Sequence, residues 1–281
     1  TSEMNNLKVF VLLAGMTAVM GMIGQAIGGQ GGMLIALLIA GVMNFYMYFN
    51  SSTKVMKAYK AQTITSDQAP ELYEIVDTLR QRAGLPMPTV GIAPQRQPNA
   101  FATGRNPDNA VVCVTRGLLE LVDRDELEGV LAHELGHIKN RDMLLQTISA
   151  TMSGAITSLA RFGMYSPHQG EGRGSAIGPL LTLLAPVVAM ILQFAISRTR
   201  EFKADAVGAE ISGKPLALAS ALNKMQQIAQ RSPMDVPPSV APIAQVNPLS
   251  GFRGLSKLFS THPSTDERIA RLHAIAASVA E

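Results

Sequence analysis

Leu131-Ala132-His133-Glu134-Leu135-Gly136-His137-Ile138 is the stretch that decides the fold and the chemistry of this chain. Two histidines four positions apart on a helix lie one turn above each other, so both imidazoles can bind one metal ion. Glu134 lies beside them and can accept a proton from a water that the metal activates. The motif therefore predicts a helix with a hydrolytic zinc site, in which His133 and His137 are ligands and Glu134 is the base.

The helical periodicity around the motif favours this interpretation. Leu127, Leu131, Leu135 and Ile138 form one apolar stripe on the predicted helix, and Glu134 lies on the same stripe. A carboxylate that faces a core without a partner is costly, whereas a divalent cation beside it offsets that cost. The alternative, two surface histidines and a solvated glutamate, does not explain this position.

A third metal ligand is expected in Arg198-Thr199-Arg200-Glu201-Phe202-Lys203-Ala204-Asp205, because a catalytic zinc site needs three protein ligands and an open position. Glu201 is the better candidate. Since Glu201 and Asp205 stand four positions apart, one can bind the metal while the other accepts the free N–H of a metal-binding histidine. The alternative is a solvated carboxylate pair that balances the neighbouring basic residues.

Long uncharged stretches predict a membrane protein. Charged residues make up 16% of the 281 residues, against about 25% in an average soluble domain. Residues 9–53 contain no charged side chain, which suffices for two spans of about 20 residues each, and the glycine cluster at 28–32 marks the turn between them. Residues 174–197 predict another span. Residues 143–160 contain several Ser, Thr and Gln, and predict a span or, alternatively, a long amphipathic helix.

The placement of Lys and Arg predicts that both polar blocks face the cytoplasm. That side of the membrane would carry Lys8, Lys54, Lys57, Lys60, Lys139, Arg141, Arg198, Arg200 and Lys203. The opposite side would carry only Arg161 and Arg173. The net charge of +3 is small and the basic residues form no stripe, so we expect a lipid bilayer and no nucleic acid as a partner.

The fold class predicted from these patterns is mainly α with a small antiparallel β-sheet and about four transmembrane helices. Helices are predicted from residue 66 to 84, from 123 through about 138, over 198–212 and 215–231, and after Ser264. Strands are predicted at 89–93, 100–103 and 110–115, the last two as a hairpin. The predicted domains are transmembrane hairpins at 1–53 and 143–197 and two parts of one catalytic domain at 54–142 and 198–281.

The chain resembles the HtpX-type membrane peptidases, which are related to the type I CAAX prenyl proteases. The likeness covers almost the whole chain and includes the N-terminal hydrophobic hairpin, Asn99–Gly104, His133–His137, Arg200–Asp205 and Ser260-Thr261-His262-Pro263. The resemblance implies a gluzincin-type fold with one zinc ion per chain, Glu201 as the third ligand and Asp205 as an orienting carboxylate. It also implies a proteolytic quality-control role at the bacterial inner membrane, with misfolded or membrane-associated polypeptides as substrates.

The remaining histidines and the cysteine are assigned as follows. His262 is expected to donate to the developing oxyanion; the alternative is a histidine that satisfies local backbone groups. His168 and His273 are expected to be structural or solvated. Cys113, the only cysteine, is expected to be a small buried core residue and not a nucleophile.

A substrate-binding strand is expected in Asn99, Ala100, Phe101, Ala102 and Thr103. The small alanines would let another backbone approach, so an exposed edge strand here could hold substrate as an added strand. The alternative is an inner strand covered by protein.

Two rival functions are weighed against a membrane-anchored zinc endopeptidase. An intramembrane protease would bury the charges on both sides of the metal motif at high cost. A catalytically silent chaperone would not need the complete ligand set and Glu134.

The predicted topology is testable by labelling. With Cys113 replaced, Ser166→Cys should react with a membrane-impermeant thiol reagent added to intact cells, because residue 166 follows the predicted third span. Labelling that occurs only after lysis would contradict the assignment of residues 143–160 as a span.

Overall fold

Helices dominate the chain in a computed structural model that describes residues 2–148, 198–231 and 263–279. The elements are α1 (Ser2–Ala58), β1 (Gln62–Thr63), α2 (Pro70–Ala83), β2 (Thr89–Ala93), β3 (Ala100–Gly104), β4 (Ala110–Thr115), α3 (Arg116–Leu121), α4 (Arg124–Asn140), α5 (Arg198–Ser212), α6 (Pro215–Arg231) and α7 (Thr265–Val279). Residues 143–148 are also helical. The predicted mainly α class is confirmed.

The first element, α1, is a hairpin of two helices. Its helical conformation breaks at Gly28 and at Gly29, whose φ of 59° and ψ of −150° suit glycine, as the glycine cluster predicts. The two arms approach closely: a Cβ placed on Gly24 would lie 2.4 Å from the carbonyl oxygen of Gly32. Residues 5–22 and 28–58 are each long and apolar enough to cross a membrane. Residues 149–197, which hold most of the other two predicted spans, lie outside the described residues.

The sheet is mixed, with strand order β1-β2-β4-β3. The predicted hairpin is confirmed, because β3 pairs antiparallel with β4. The prediction of a wholly antiparallel sheet is wrong, because β2 pairs parallel with β4. β3 lies at the outer edge of the sheet, antiparallel to β4. β4 lies between β2 and β3 and runs in the same direction as β2.

The helix ends follow local sequence signals. Gly84 caps α2 in the left-handed conformation, with φ of 68°. Asp123 and Glu126 form the predicted capping box of α4. The hydroxyl of Ser264 accepts a hydrogen bond from the Glu267 amide at the start of α7. The short helix α3 was not expected, and Thr115 caps its first turn by accepting from the Leu118 amide at 3.2 Å.

The edge strand β3 is buried. Ala100, Phe101, Ala102 and Thr103 are each at most 3% exposed, so the expectation of an exposed edge strand is wrong in that respect. The cause is packing on both faces: α4 contacts β3, and the Thr103 hydroxyl lies 3.0 Å from the hydroxyl of Thr147.

Two helical layers enclose the sheet. Val90, Val112 and Val114 contribute one face to a core shared with α2 and α4. The other face packs against the C-terminal end of α1 through Phe101 and Cys113. The expected domain boundary after residue 53 therefore falls inside a helix that continues into the catalytic fold.

The contact between α4 and α5 depends on Gly208. A Cβ at this position would lie 2.9 Å from the backbone nitrogen and Cα of His133, so only glycine lets the two helices approach this closely.

We expect Gly208→Ala to push α5 away from α4 and to lower the free energy of unfolding by about 1–3 kcal/mol. Chemical denaturation of the purified protein in detergent measures this loss. Gly15→Ala is the matched control, because a Cβ there meets no atom within 4 Å. Equal stability of the two variants would contradict the tight contact.

Candidate metal centre

The structure brings together His133 and His137 of α4 and Glu201 of α5. The two Nε2 atoms lie 3.1 Å apart, and each lies 3.7 Å from an oxygen of Glu201. One ligand atom from each residue falls within 4.8 Å of the others. All three residues are at most 5% exposed. Two imidazoles and a carboxylate that converge in this way could hold a metal ion as three protein ligands.

Each imidazole is oriented by a carboxylate on its other ring nitrogen. His133 Nδ1 lies 2.8 Å from Asp205 Oδ1, and His137 Nδ1 lies 3.0 Å from Asp142 Oδ1. Such partners fix the ring and the tautomer, which leaves each Nε2 lone pair for a metal. The structure thus places Asp205 in the position that the sequence analysis expected.

The role of Asp142 was not predicted from the sequence, and it follows from the turn that ends α4. α4 ends at Asn140, and Arg141 takes a left-handed conformation with φ of 55°. The Asp142 amide then donates to the His137 carbonyl at 3.3 Å. This helix-ending turn folds Asp142 back onto the histidine one turn earlier.

Arg268 of α7 was also missed, because it is separated from the motif by 135 residues of chain. Its Nη2 lies 2.7 Å from Asp205 Oδ1, the oxygen that faces His133, and its Nε donates to Asp205 Oδ2 at 2.9 Å. Arg268 is 2% exposed. A bidentate contact of this kind fixes the rotation of the Asp205 carboxylate.

The buried charges favour a divalent cation. Among the described residues around the two histidines, four buried carboxylates face two buried guanidinium groups, so with both imidazoles neutral, as metal binding requires, the negative charges exceed the positive ones by two; the six residues are Glu134, Asp142, Glu201, Asp205, Arg200 and Arg268. An unbalanced buried charge is strongly disfavoured. A doubly positive ion among the histidines neutralises the excess, and this donor set suits zinc.

Glu134 is 3% exposed and lies on the same helix as both histidines. Its charge acts on Cys113 of β4. Burial raises the pKa of the Cys113 thiol, and the nearby Glu134 charge raises it further. Cys113 is thus a buried, protonated core residue, as expected, and not a nucleophile.

Of the other histidines, His262 and His168 lie outside the described residues, so the proton-donor role of His262 stays a prediction. His273 is exposed on α7.

Comparison with known proteins gives relatives along the whole chain. Residues 66–276 match the profile of Peptidase family M48. A "Protease HtpX homolog" of Gemmatimonas aurantiaca is 60% identical over 279 residues, which cover 98% of this chain and 100% of that protein. A protein of the same name from Salinibacter ruber is 53% identical over 274 residues, with 97% and 99% covered. The crystal structure of S. mikatae Ste24p shares the fold at a TM-score of 0.54 and 19% identity, with 96% of this chain and 65% of that chain covered.

The metal-free site holds a proton on His137. Burial alone lowers the pKa of this imidazole, but the Asp142 carboxylate and then Glu201 and Glu134 raise it to about 10. His137 is therefore protonated at neutral pH, and metal binding has to displace that proton.

We expect the apparent zinc affinity of the metal-free protein to fall about tenfold for each pH unit below 10, since each bound ion displaces the His137 proton. Calorimetry in buffers of different ionisation enthalpy should give about one proton released per ion near neutral pH. Asp142→Asn removes the charge that raises this pKa and should reduce the release, whereas Asp77→Asn on the exposed side of α2 should not. A pH-independent affinity would contradict the assignment.

Proposed function

Since the chain belongs to Peptidase family M48, we propose that it is a membrane-anchored zinc endopeptidase that cleaves misfolded or membrane-associated polypeptides at the cytoplasmic face of the bacterial inner membrane. Membership of this family and the similarity to the HtpX homologues imply that the chain is a membrane-associated metalloprotease. The observation that carries the proposal is the buried group of His133, His137 and Glu201 with Glu134 on the same helix.

In the proposed mechanism, His133, His137 and Glu201 would hold the zinc ion, which would supply the Lewis acidity needed to polarise the scissile carbonyl and to lower the pKa of a water. Glu134 accepts the proton of the attacking water and delivers it to the leaving amine nitrogen. Asp205 and Asp142 keep the imidazoles in the tautomer that ligation requires. His262 is proposed to donate to the oxyanion as it develops.

The proposed substrate strand is β3. Asn99 accepts a hydrogen bond from the Thr115 amide, so the hydrogen-bonded pairs of this antiparallel ladder fall on residues 99, 101 and 103. The backbone groups of Ala100 and Ala102 therefore point away from β4, toward the edge of the sheet. A peptide could add there as a further strand and be held largely by main-chain hydrogen bonds, which accept many sequences. Because β3 is buried, strand addition requires the surrounding structure to open.

The site lies close to the proposed membrane surface. The side chain of Asn5, at the start of the first span, donates to the carbonyl of Asn140 at the end of α4. Leu145 and Ile148 then pack against Val9 and Met47 of α1. A metal site at this junction suits polypeptides that emerge from the bilayer, which supports a role in membrane-protein quality control.

The rival functions differ in measurable ways. An intramembrane protease would place α4 in lipid, yet Arg124 and Asp125 at its start are exposed and charged. A silent chaperone would bind unfolded polypeptide without cleaving it. Zinc stoichiometry combined with a casein-cleavage assay separates the chaperone from the peptidase.

We expect Glu134→Gln to abolish cleavage while zinc stays bound, because Glu134 is a base and not a ligand. His133→Ala or His137→Ala should lose both zinc and activity. Glu120→Gln, at an exposed glutamate of α3, is the matched control and should keep both. Metal analysis of the purified proteins tests this assignment. A zinc-free Glu134→Gln protein would show that the assignment of Glu134 as a base and not a ligand is wrong.

The active enzyme and the Glu134→Gln variant also test the cellular function. Membrane proteins that accumulate with the Glu134→Gln enzyme and disappear with the active one are the expected substrates. Identical membrane proteomes would argue against a quality-control role.

We expect Ala102→Pro to raise the Michaelis constant for peptides, because it removes a backbone donor directed at the edge where substrate would pair. The zinc content should not change. Thr63→Pro is the control: Ile64 donates to Val90, so the Thr63 amide points outward on the opposite edge of the sheet. A zinc-loaded, folded Ala102→Pro enzyme with unaltered Michaelis constant and turnover would refute substrate binding at β3.

A further inference from the structure

The membrane anchor forms one layer of the catalytic fold. Val55, in the last turn of α1, and Tyr59, which directly follows α1, are at most 1% exposed. They form a separate core cluster with Ala93, Phe101 and Cys113 of the sheet. The face of β3 opposite to α4 thus rests on the last turn of a helix whose preceding residues are suited to a bilayer.

Tyr59 makes the most specific contacts of this layer. Its ring lies 4.4 Å from the ring of Phe101, at an interplanar angle of 36°. Its carbonyl oxygen accepts a hydrogen bond of 2.8 Å from the side chain of Gln95, in the segment between β2 and β3. Its amide donates to the carbonyl of Val55, which continues the helical pattern from the anchor. Tyr59 is therefore fixed on one side to the anchor and on the other to β3 and the segment that leads into it.

The position of Phe101 connects this contact to the substrate edge. Residue 101 lies between Ala100 and Ala102, whose backbone groups point toward the edge. Side chains alternate across a strand, so a displacement of Phe101 also displaces the two neighbouring peptide groups. Loss of the Tyr59 ring would leave a cavity directly under this part of β3.

We infer that Tyr59 is a positioning residue for peptide binding, through which the membrane anchor sets the place of β3. The inference rests on the proposed role of β3 as the substrate strand. Tyr59 itself does not touch substrate; it acts through Phe101. The metal ligands lie on α4 and α5, whereas Tyr59 packs on the face of β3 opposite to α4.

The test uses the full-length, zinc-loaded enzyme with Tyr59→Leu, which removes the ring, and Tyr59→Phe, which keeps it. In Tyr59→Leu we expect the Michaelis constant for a fluorogenic peptide to rise about tenfold, the upper range for an aromatic pair, with turnover and zinc content changed by less than about twofold. Hydrogen exchange at residues 100–104 should become faster, while exchange in α2 stays as it is. Tyr59→Phe keeps the ring and removes only the hydroxyl, so its Michaelis constant and β3 exchange should lie closer to the parent values than those of Tyr59→Leu.

Tyr73→Leu is the matched control, because it removes the ring of a tyrosine that lies on α2, where its hydroxyl donates to the carbonyl of Ile64. Tyr73→Leu should leave both the Michaelis constant and β3 exchange unchanged.

If Tyr59→Leu does not fold, Tyr59→Met takes its place, because methionine keeps much of the buried volume. The changes expected for Tyr59→Leu then apply to Tyr59→Met.

The outcomes separate the inference from the proposed function. Unchanged β3 exchange in Tyr59→Leu, or faster exchange in every element, would overturn the inference and leave the Ala102→Pro test of β3 intact. Faster β3 exchange with an unchanged Michaelis constant would overturn the substrate role of β3 and the inference together.

Discussion

A buried excess of negative charge is the constraint on which the rest of the structure depends. Asp142 and Asp205 each hold one histidine of α4, and Glu201 lies against both Nε2 atoms. Carboxylates taken out of water so close together would repel each other strongly without compensation. Arg268 and Arg200 offset part of this charge, and a divalent ion held by the two histidines and Glu201 would offset what remains. Such an ion would also supply the proposed chemistry, so stability and function would depend on the same group.

This constraint explains why distant segments pack as they do. Glu201 reaches the histidines because Gly208 and Gly136 let α5 approach α4; a Cβ at Gly136 would lie 3.1 Å from the carbonyl of Ala204. α7 contributes Arg268 to the same cluster. Three separate segments of the described chain thus meet at the metal centre, and loss of any one exposes or unbalances charge that the others have buried.

The features that the sequence predicted are those with a local physical cause. The spacing of His133 and His137 places both on one helical face, the capping box at Asp123 fixes the start of that helix, and Gly29 breaks the hairpin of α1 at a conformation that favours glycine. These signals extend over a few residues, so they can be recognised without knowing the fold.

The features that the sequence did not predict depend on contacts between distant residues. No local pattern states that β4 inserts between β2 and β3, or that Arg268 returns to Asp205 across 63 positions. The burial of β3 follows from helices that pack on it and not from its own composition. Asp142 is intermediate: an aspartate just after the metal helix could have been recognised from the turn that Arg141 makes.

X-ray absorption at the zinc edge of the purified full-length protein tests the central claim most directly, because it reports the ligands without relying on activity. We expect one zinc per chain with two imidazole nitrogens and a carboxylate oxygen among its ligands, and the loss of an oxygen ligand in Glu201→Ala. A metal-free protein, or a spectrum unchanged by Glu201→Ala, would contradict the metal centre described above.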